Sequence, residues 1–277
     1  MSNRPEAPVR RTQIPQRLQA LSPVSSLIHL PDTRLDAGDR EARHNPQGCG
    51  ANQFRRLQCL SLAEAGTSSI LACMSLPDGF RYLPGYFDRT QQAALVGAVL
   101  DAAKTAPFYR PRMPRTGQPL SVTMTNFGPL GWVTDKDRGY RYETMHPQTG
   151  ASWPAAPDLL TRLWDDVSGY SAPFEACLVN YYTETSRMGL HIDRDEAATD
   201  AAVVSVSLGD KARFRLGGPS RKGKTHSLIL SSGDVVVLGG AARRCYHGVD
   251  RIYPATSTLV PQGGRLNLTM RRVTLPA

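Results

Sequence analysis

The chain has few cysteines and no CxxC pair among them. Cys49, Cys59, Cys73, Cys177 and Cys245 are odd in number and irregularly spaced. That pattern argues against a disulfide framework and a cysteine-ligated zinc site, and it suits a reducing compartment. Cys177 opens an apolar run and Cys245 lies two residues before a histidine, so both read as small buried hydrophobes. No apolar stretch reaches the length of a membrane span, and the N-terminus lacks the charged-then-apolar pattern of a secretory signal. A soluble cytoplasmic protein with no membrane partner is expected. Acidic residues are in deficit, 24 against 33 Lys and Arg, for a net charge of +9. The excess is not confined to a tail, because residues 76–277 carry 24 basic and 18 acidic side chains. A basic folded part fits a polyanionic partner, although charge alone identifies none.

At 277 residues and 40% hydrophobic, the chain can bury a sizeable core. Residues 1–75 mix Pro, Gly, Ser and Arg without periodicity and read as a poorly ordered extension, with Met74 a candidate alternative start. Organised sequence begins at about residue 76. Asp88 can cap a helix running to about Ala103, where Ala94, Leu95, Ala98, Val99 and Ala102 give an apolar face. A second helix is expected over 158–168, with Trp164 in the core. After Pro173 come short apolar or alternating runs at 176–183, 203–208, 212–216, 226–230, 234–238 and 266–272, separated by turn signals. Helices followed by many short strands indicate an α+β chain whose second half is a β-sandwich or barrel.

The chemistry concentrates in that half. His191 and Asp193 stand at i and i+2, so on an extended strand both side chains leave one face and converge. His247, 54 positions after Asp193, must arrive from another strand. Two imidazoles and one carboxylate are the facial ligand set of iron(II) oxygenases, with the opposite face of the metal left open. Near the chain end Arg265, Asn267, Thr269 and Arg271 alternate with Leu266, Leu268 and Met270, which places the polar set on one strand face. An arginine fork there suits a carboxylate of a dicarboxylic co-substrate. A lone His-x-Asp arises by chance, and an arginine is ordinarily a solvated surface charge. The combination is what carries the reading.

Seven separated segments, in order, resemble the AlkB family of iron(II)- and 2-oxoglutarate-dependent dioxygenases, which dealkylate nucleic-acid bases. They are Ser121–Asn126, Leu130–Trp132, Gly139–Tyr142, Cys177–Tyr182, Leu190–Glu196, Val204–Gly209 and Arg265–Arg271, and the likeness, closest to the bacterial AlkB proteins, covers most of residues 120–272. The resemblance implies a double-stranded β-helix, or jelly roll, at about 173–272, preceded by a nucleotide-recognition lid at about 120–150 and flanked by helices. It implies His191, Asp193 and His247 as iron ligands. Asn180, Tyr181, Tyr182, Arg265, Asn267 and Arg271 become the 2-oxoglutarate shell, with Arg271 on the distal carboxylate and Arg265 also orienting Asp193. Trp132, Tyr140, Arg141 and Tyr142 become base-binding residues, Asp195 a reader of the damaged base and Arg221 a substrate contact. The glycine and proline around Trp132 suggest a projecting loop. Leu238 stands where bacterial AlkB proteins commonly carry tryptophan, the Trp132–Tyr140 loop is a residue longer, and Thr183–Arg187 replaces a segment with proline and glycine.

The implied activity is oxidative demethylation of bases such as 1-methyladenine or 3-methylcytosine. Iron(II) is the cofactor, 2-oxoglutarate and oxygen are co-substrates, and succinate, carbon dioxide and formaldehyde are products. The implied partner is alkylated single-stranded DNA, followed by double-stranded DNA or RNA, acted on by a monomer. Three rival readings are a 2-oxoglutarate oxygenase acting on protein, lipid or a small molecule, a nucleic-acid-binding protein with a vestigial site, and a zinc or manganese jelly-roll enzyme. Trp132, Tyr140 and Asp195 oppose the first, the complete triad with Arg271 the second, and Asn267 with the paired arginines the third.

Overall fold

The computed structural model of the protein describes residues 76–276. The expected extension over residues 1–75, including the reading of Met74 as a start, lies outside the described residues. The described part carries two helices and twelve strands, in the order β1 (Phe80–Leu83), α1 (Arg89–Ala102), β2 (Thr123–Phe127), β3 (Gly131–Asp135), β4 (Gly139–Glu143), α2 (Asp158–Val167), β5 (Ala176–Tyr182), β6 (Met188–His191), β7 (Val203–Gly209), β8 (Lys211–Leu216), β9 (His226–Leu230), β10 (Val235–Leu238), β11 (His247–Tyr253) and β12 (Arg265–Arg271).

Helix α1 starts where expected because Asp88 closes a capping box. Its carboxylate accepts the Gln91 N–H at 2.8 Å, and the Asp88 N–H donates back to the Gln91 side-chain oxygen at 3.0 Å. Leu95, Val96 and Val99 of α1 and Leu160, Leu163, Trp164 and Val167 of α2 are buried against one face of a six-stranded antiparallel sheet ordered β1-β10-β7-β12-β5-β2. The other face of that sheet packs on a four-stranded sheet, β6-β11-β8-β9. Tyr182, Val203, Val236 and Leu238 from the first sheet share one cluster with Ala212, Phe214, Leu216, Leu230, Val249 and Ile252 from the second. This is the jelly roll expected, and its interior between the sheets is where the polar face of β12 points.

Strands β3 and β4 form a separate two-stranded hairpin, so Trp132 sits on a paired strand opposite Tyr142 and not in a loop. Tight contact fixes the hairpin's base. A Cβ on Gly131 would stand 2.4 Å from the Trp153 ring, so only glycine lets this strand lie against that indole. The Trp153 Nε1–H donates to the Glu143 carbonyl at 2.9 Å and ties the same end of β4. No described helix is long and apolar enough to cross a membrane.

Candidate iron and 2-oxoglutarate site

Strands β6 and β11 pair so that His191 and His247 are direct partners. The pairing depends on Gly248, where a Cβ would fall 2.5 Å from the Met188 carbonyl oxygen. Asp193 completes the group from just beyond β6, which ends at His191, so convergence comes from a turn out of the strand and not from strand alternation alone. One ligand atom from each of the three residues lies within 4.8 Å of the others. His191 Nε2 is 3.5 Å from Asp193 Oδ1, and His247 Nε2 is 3.7 Å from Asp193 Oδ2.

Each imidazole is oriented through its other nitrogen. His191 Nδ1 lies 2.8 Å from the Gly189 carbonyl and His247 Nδ1 lies 3.1 Å from the Cys245 carbonyl. A carbonyl can only accept, so both Nδ1 atoms carry the proton and both Nε2 lone pairs face the centre. Burial pushes the His247 imidazole down to about 4, which keeps it neutral and ready to ligate. At His191 burial works the same way, but the neighbouring Asp193 carboxylate outweighs it and raises the pKa. Burial also opposes ionisation of Asp193, yet the Arg271 charge and the two histidines hold its carboxyl well below the usual carboxylate range. The Asp193 Oδ2 atom is buried with no hydrogen-bond partner. A buried carboxylate with one unpartnered oxygen, set between two imidazole Nε2 atoms whose Nδ1 protons are held by carbonyls, fits a divalent cation.

All of Arg265, Asn267, Thr269 and Arg271 are buried on the inner face of β12. The contact with Asp193 expected of Arg265 is made by Arg271. Arg271, not Arg265, holds Asp193, its Nη2 donating to Oδ1 at 2.7 Å, while its Nη1 donates to Glu196 at 2.9 Å and to the Tyr142 hydroxyl at 3.3 Å. Arg265 is 1% exposed and lies 5.3 Å over the Tyr182 ring. One of its nitrogens donates to Ser207 Oγ at 2.8 Å, and its Nε and Nη1 have no partner. Two orphaned donors of one guanidinium fork fit a missing carboxylate. Asn180 is buried on β5 directly opposite Asn267, whose amide nitrogen donates to Ser205 Oγ and the Val206 carbonyl at 2.7 and 2.9 Å.

Tyr181 does not join the site. Strand alternation turns it away from Asn180 and Tyr182, and it packs beside Phe108 on the helix side with its hydroxyl donating to the Gly263 carbonyl at 3.1 Å. Arg141 is likewise on the opposite hairpin face from Tyr140 and Tyr142. It pairs with Asp135 at 2.7 Å and Glu143 at 2.6 Å, which ties the hairpin together. Trp132 and Tyr140 stack as a diagonal cross-strand pair with centroids 5.5 Å apart and planes at 22°. The Trp132 Nε1–H donates to the exposed Asp195 carboxylate at 2.7 Å. Arg221 is exposed in the β8–β9 turn beside Lys222 and Lys224.

Two buried neighbours of the triad were not legible as such. Glu196 reads as one more acid in Asp193-Arg194-Asp195-Glu196, and Arg243 as half of an ordinary Arg-Arg pair, but both are buried, at 4% exposure each. Burial of a charge is a tertiary fact, and no local pattern announces it.

The comparisons with known proteins agree with this geometry. The sequence model of the 2OG-Fe(II) oxygenase superfamily matches residues 79–271. An alpha-ketoglutarate-dependent dioxygenase AlkB homolog of Caulobacter vibrioides is 50% identical over 212 residues, 76% of this chain and 96% of the relative. The alpha-ketoglutarate-dependent dioxygenase AlkB of Escherichia coli is 39% identical over 182 residues, 64% of this chain and 83% of the relative. The solved structure of OsALKBH1 superposes with a TM-score of 0.61 at 30% identity, covering 72% of this chain and 99% of that one. With the facial triad, the jelly roll and these relatives together, the chain belongs to the AlkB group of the 2OG-Fe(II) oxygenase superfamily and is an iron(II)- and 2-oxoglutarate-dependent dioxygenase.

Proposed function

We propose that the protein removes N-methyl groups from bases of the 1-methyladenine and 3-methylcytosine type in single-stranded DNA, with RNA as a second substrate, as repair of alkylation damage. The observation that carries this reading is the Trp132–Tyr140 stack joined through the indole N–H to Asp195, two residues from Asp193. A base must leave its stack before its methyl group can meet a metal, and an aromatic face replaces the stacking it loses. The Asp195 carboxylate accepts from an exocyclic amino group and favours the cationic ring that N-methylation creates. Relatives named as a DNA N(6)-methyladenine demethylase of Arabidopsis thaliana and a tRNA demethylase of Schizosaccharomyces pombe support a nucleic-acid substrate.

His191, Asp193 and His247 hold the iron. Bound iron(II), with 2-oxoglutarate and oxygen, supplies the oxidising power to hydroxylate the methyl group, which leaves as formaldehyde while 2-oxoglutarate becomes succinate and carbon dioxide. Arg265 pairs the distal carboxylate of 2-oxoglutarate through its two free nitrogens, with Asn180, Tyr182 and Asn267 shaping the pocket. Arg271 steers Asp193. Tyr142, whose proton burial holds firmly in place, donates to Glu196 and anchors the hairpin over the site.

The test is turnover of a methylated single-stranded oligonucleotide with iron(II), 2-oxoglutarate and ascorbate, read as succinate and formaldehyde. His191→Ala and Asp193→Ala abolish both products, whereas Trp132→Ala mainly weakens use of the oligonucleotide. Succinate formed at full rate with a peptide or small molecule, and none with the methylated strand, would establish the rival substrate class.

A further inference from the structure

We propose that Arg243 and Glu196 are positioning residues for the iron site, and that with Arg271 they close a ring of hydrogen bonds holding Asp193 by its main chain and its side chain at once. The inference rests on the metal placement argued above. Arg243 uses all three of its guanidinium nitrogens. Nη1 donates to the Asp193 carbonyl at 2.8 Å, Nη2 to Glu196 Oε2 at 2.9 Å and Nε to the Ala201 carbonyl at 3.1 Å. The second carboxylate oxygen of Glu196 accepts from Arg271 Nη1 at 2.9 Å, and Arg271 Nη2 returns to Asp193 Oδ1 at 2.7 Å. Charges alternate around this ring, Asp193, Arg243, Glu196 and Arg271, all buried.

Its position in the chain gives the ring its use. Arg243 stands in the 3-10 turn Gly240–Arg244, which runs through Cys245 and Tyr246 straight into His247. Asp193 lies outside any strand, so the β6–β11 ladder that sets the two histidines does not set it. Arg243 supplies the missing tie. It docks the segment carrying one ligand onto the backbone of another. Glu196 has a second duty, because the Tyr142 hydroxyl also reaches it, so the base-binding hairpin joins the same ring. A planar fork with three directed donors does this; a lysine ammonium carries the charge without the geometry.

The experiment measures Arg243→Met, Arg243→Lys and Glu196→Gln in the full-length protein. Cobalt(II) binding is followed by its d–d absorption, and kcat and KM are measured with iron(II) and a methylated oligonucleotide. Secondary structure and melting of the metal-free proteins identify any variant that fails to fold, and Glu196→Gln, which keeps shape and volume, carries the test if Arg243→Met does fail. Loss of an interaction that orients a metal ligand weakens metal affinity or turnover by about 10- to 100-fold. We expect that loss and an altered cobalt spectrum in both replacements, with a KM for the oligonucleotide within about twofold of wild type in Arg243→Met, which leaves the Tyr142–Glu196 contact in place. Arg243→Lys restores only part of the affinity. Wild-type cobalt affinity and spectrum in folded Arg243→Met and Glu196→Gln, or complete recovery with lysine, would overturn the proposal. A wild-type protein that binds cobalt but does not demethylate would remove the substrate reading and leave this one to be decided by the spectra.

Discussion

At the scale of single residues, the two arginines of β12 show that the same side chain six positions apart can serve opposite purposes. Both terminal nitrogens of Arg271 are paired with carboxylates of the protein itself and only its Nε is unpaired, whereas Arg265 is buried with Nε and one terminal nitrogen unpaired and no carboxylate beside it. A hydrogen bond to a charged group contributes about 1.5–3 kcal/mol, and a buried fork without its anion keeps the desolvation penalty. Arg265→Met therefore raises the KM for 2-oxoglutarate by about 30- to 150-fold, the equivalent of about 2–3 kcal/mol, and affects metal binding little. Titration calorimetry with 2-oxoglutarate and with cobalt(II) separates the two effects. A variant that kept its 2-oxoglutarate affinity would return that role to Arg271. Trp132→Phe keeps a stacking face and removes the N–H that fixes Asp195. Its KM for a methylated oligonucleotide rises by about 5- to 12-fold, the worth of a single hydrogen bond near 1–1.5 kcal/mol, and an unchanged KM would mean that the indole N–H does not matter to recognition.

At the scale of elements, the metal site is a property of how closely β6 and β11 approach. Gly248→Ala places a methyl group against the Met188 carbonyl, so the strands must separate and His191 moves from His247. Overpacking of this kind costs about 1–3 kcal/mol, and here it also lowers cobalt affinity by about tenfold or more. Unchanged affinity would show that the approach is not needed. The segment after β4 is pinned by His146, whose Nδ1 accepts the Gln148 and Thr149 N–H groups at 3.2 and 3.1 Å while Nε2 donates to the Pro107 carbonyl at 2.8 Å. That arrangement needs the neutral ring, and burial lowers its pKa from 6.5. Because the folded value lies below the unfolded one, this stabilisation is complete above about pH 6.5 and is lost as pH falls below it, when the unfolded chain takes up the proton first. Urea unfolding of metal-free protein at pH 7.5 and 5.5 reads this as a larger loss for wild type than for His146→Asn, and equal losses would remove His146 as the cause.

At the scale of the whole molecule, regular elements and the facial triad were legible, and the other convergences were not. The capping residue Asp88 and the period of 158–168 located both helices within a residue, because those signals are local. The strand runs after Pro173 matched β5 and β7–β10 closely, yet β6 and β11, with two glycines near the metal ligands and mixed polarity, gave no strand pattern. The facial triad was legible from His191-x-Asp193 and a distant His247. The placements of Tyr181 and Arg141 and the pairing of Arg271 with Asp193 were not, because strand alternation and ion pairs appear only once the register is known. Under the proposed function, a strand held by the basic β8–β9 turn binds with a salt-dependent affinity. For single strands the logarithm of affinity falls against the logarithm of salt with a slope of about −0.7 per phosphate contacted. Replacing Arg221, Lys222 and Lys224 by Gln flattens that slope without changing kcat at saturation, and an identical slope would mean that the β8–β9 turn does not touch the strand. The most direct measurement of the central claim is the stoichiometry of the reaction on a defined methylated single strand, with methyl loss read by mass spectrometry alongside formaldehyde and succinate. The account predicts one equivalent of each product per methyl removed by wild type and none by Asp193→Ala. Methyl loss that survives Asp193→Ala, or wild-type succinate formation with the methyl group left in place, would contradict it.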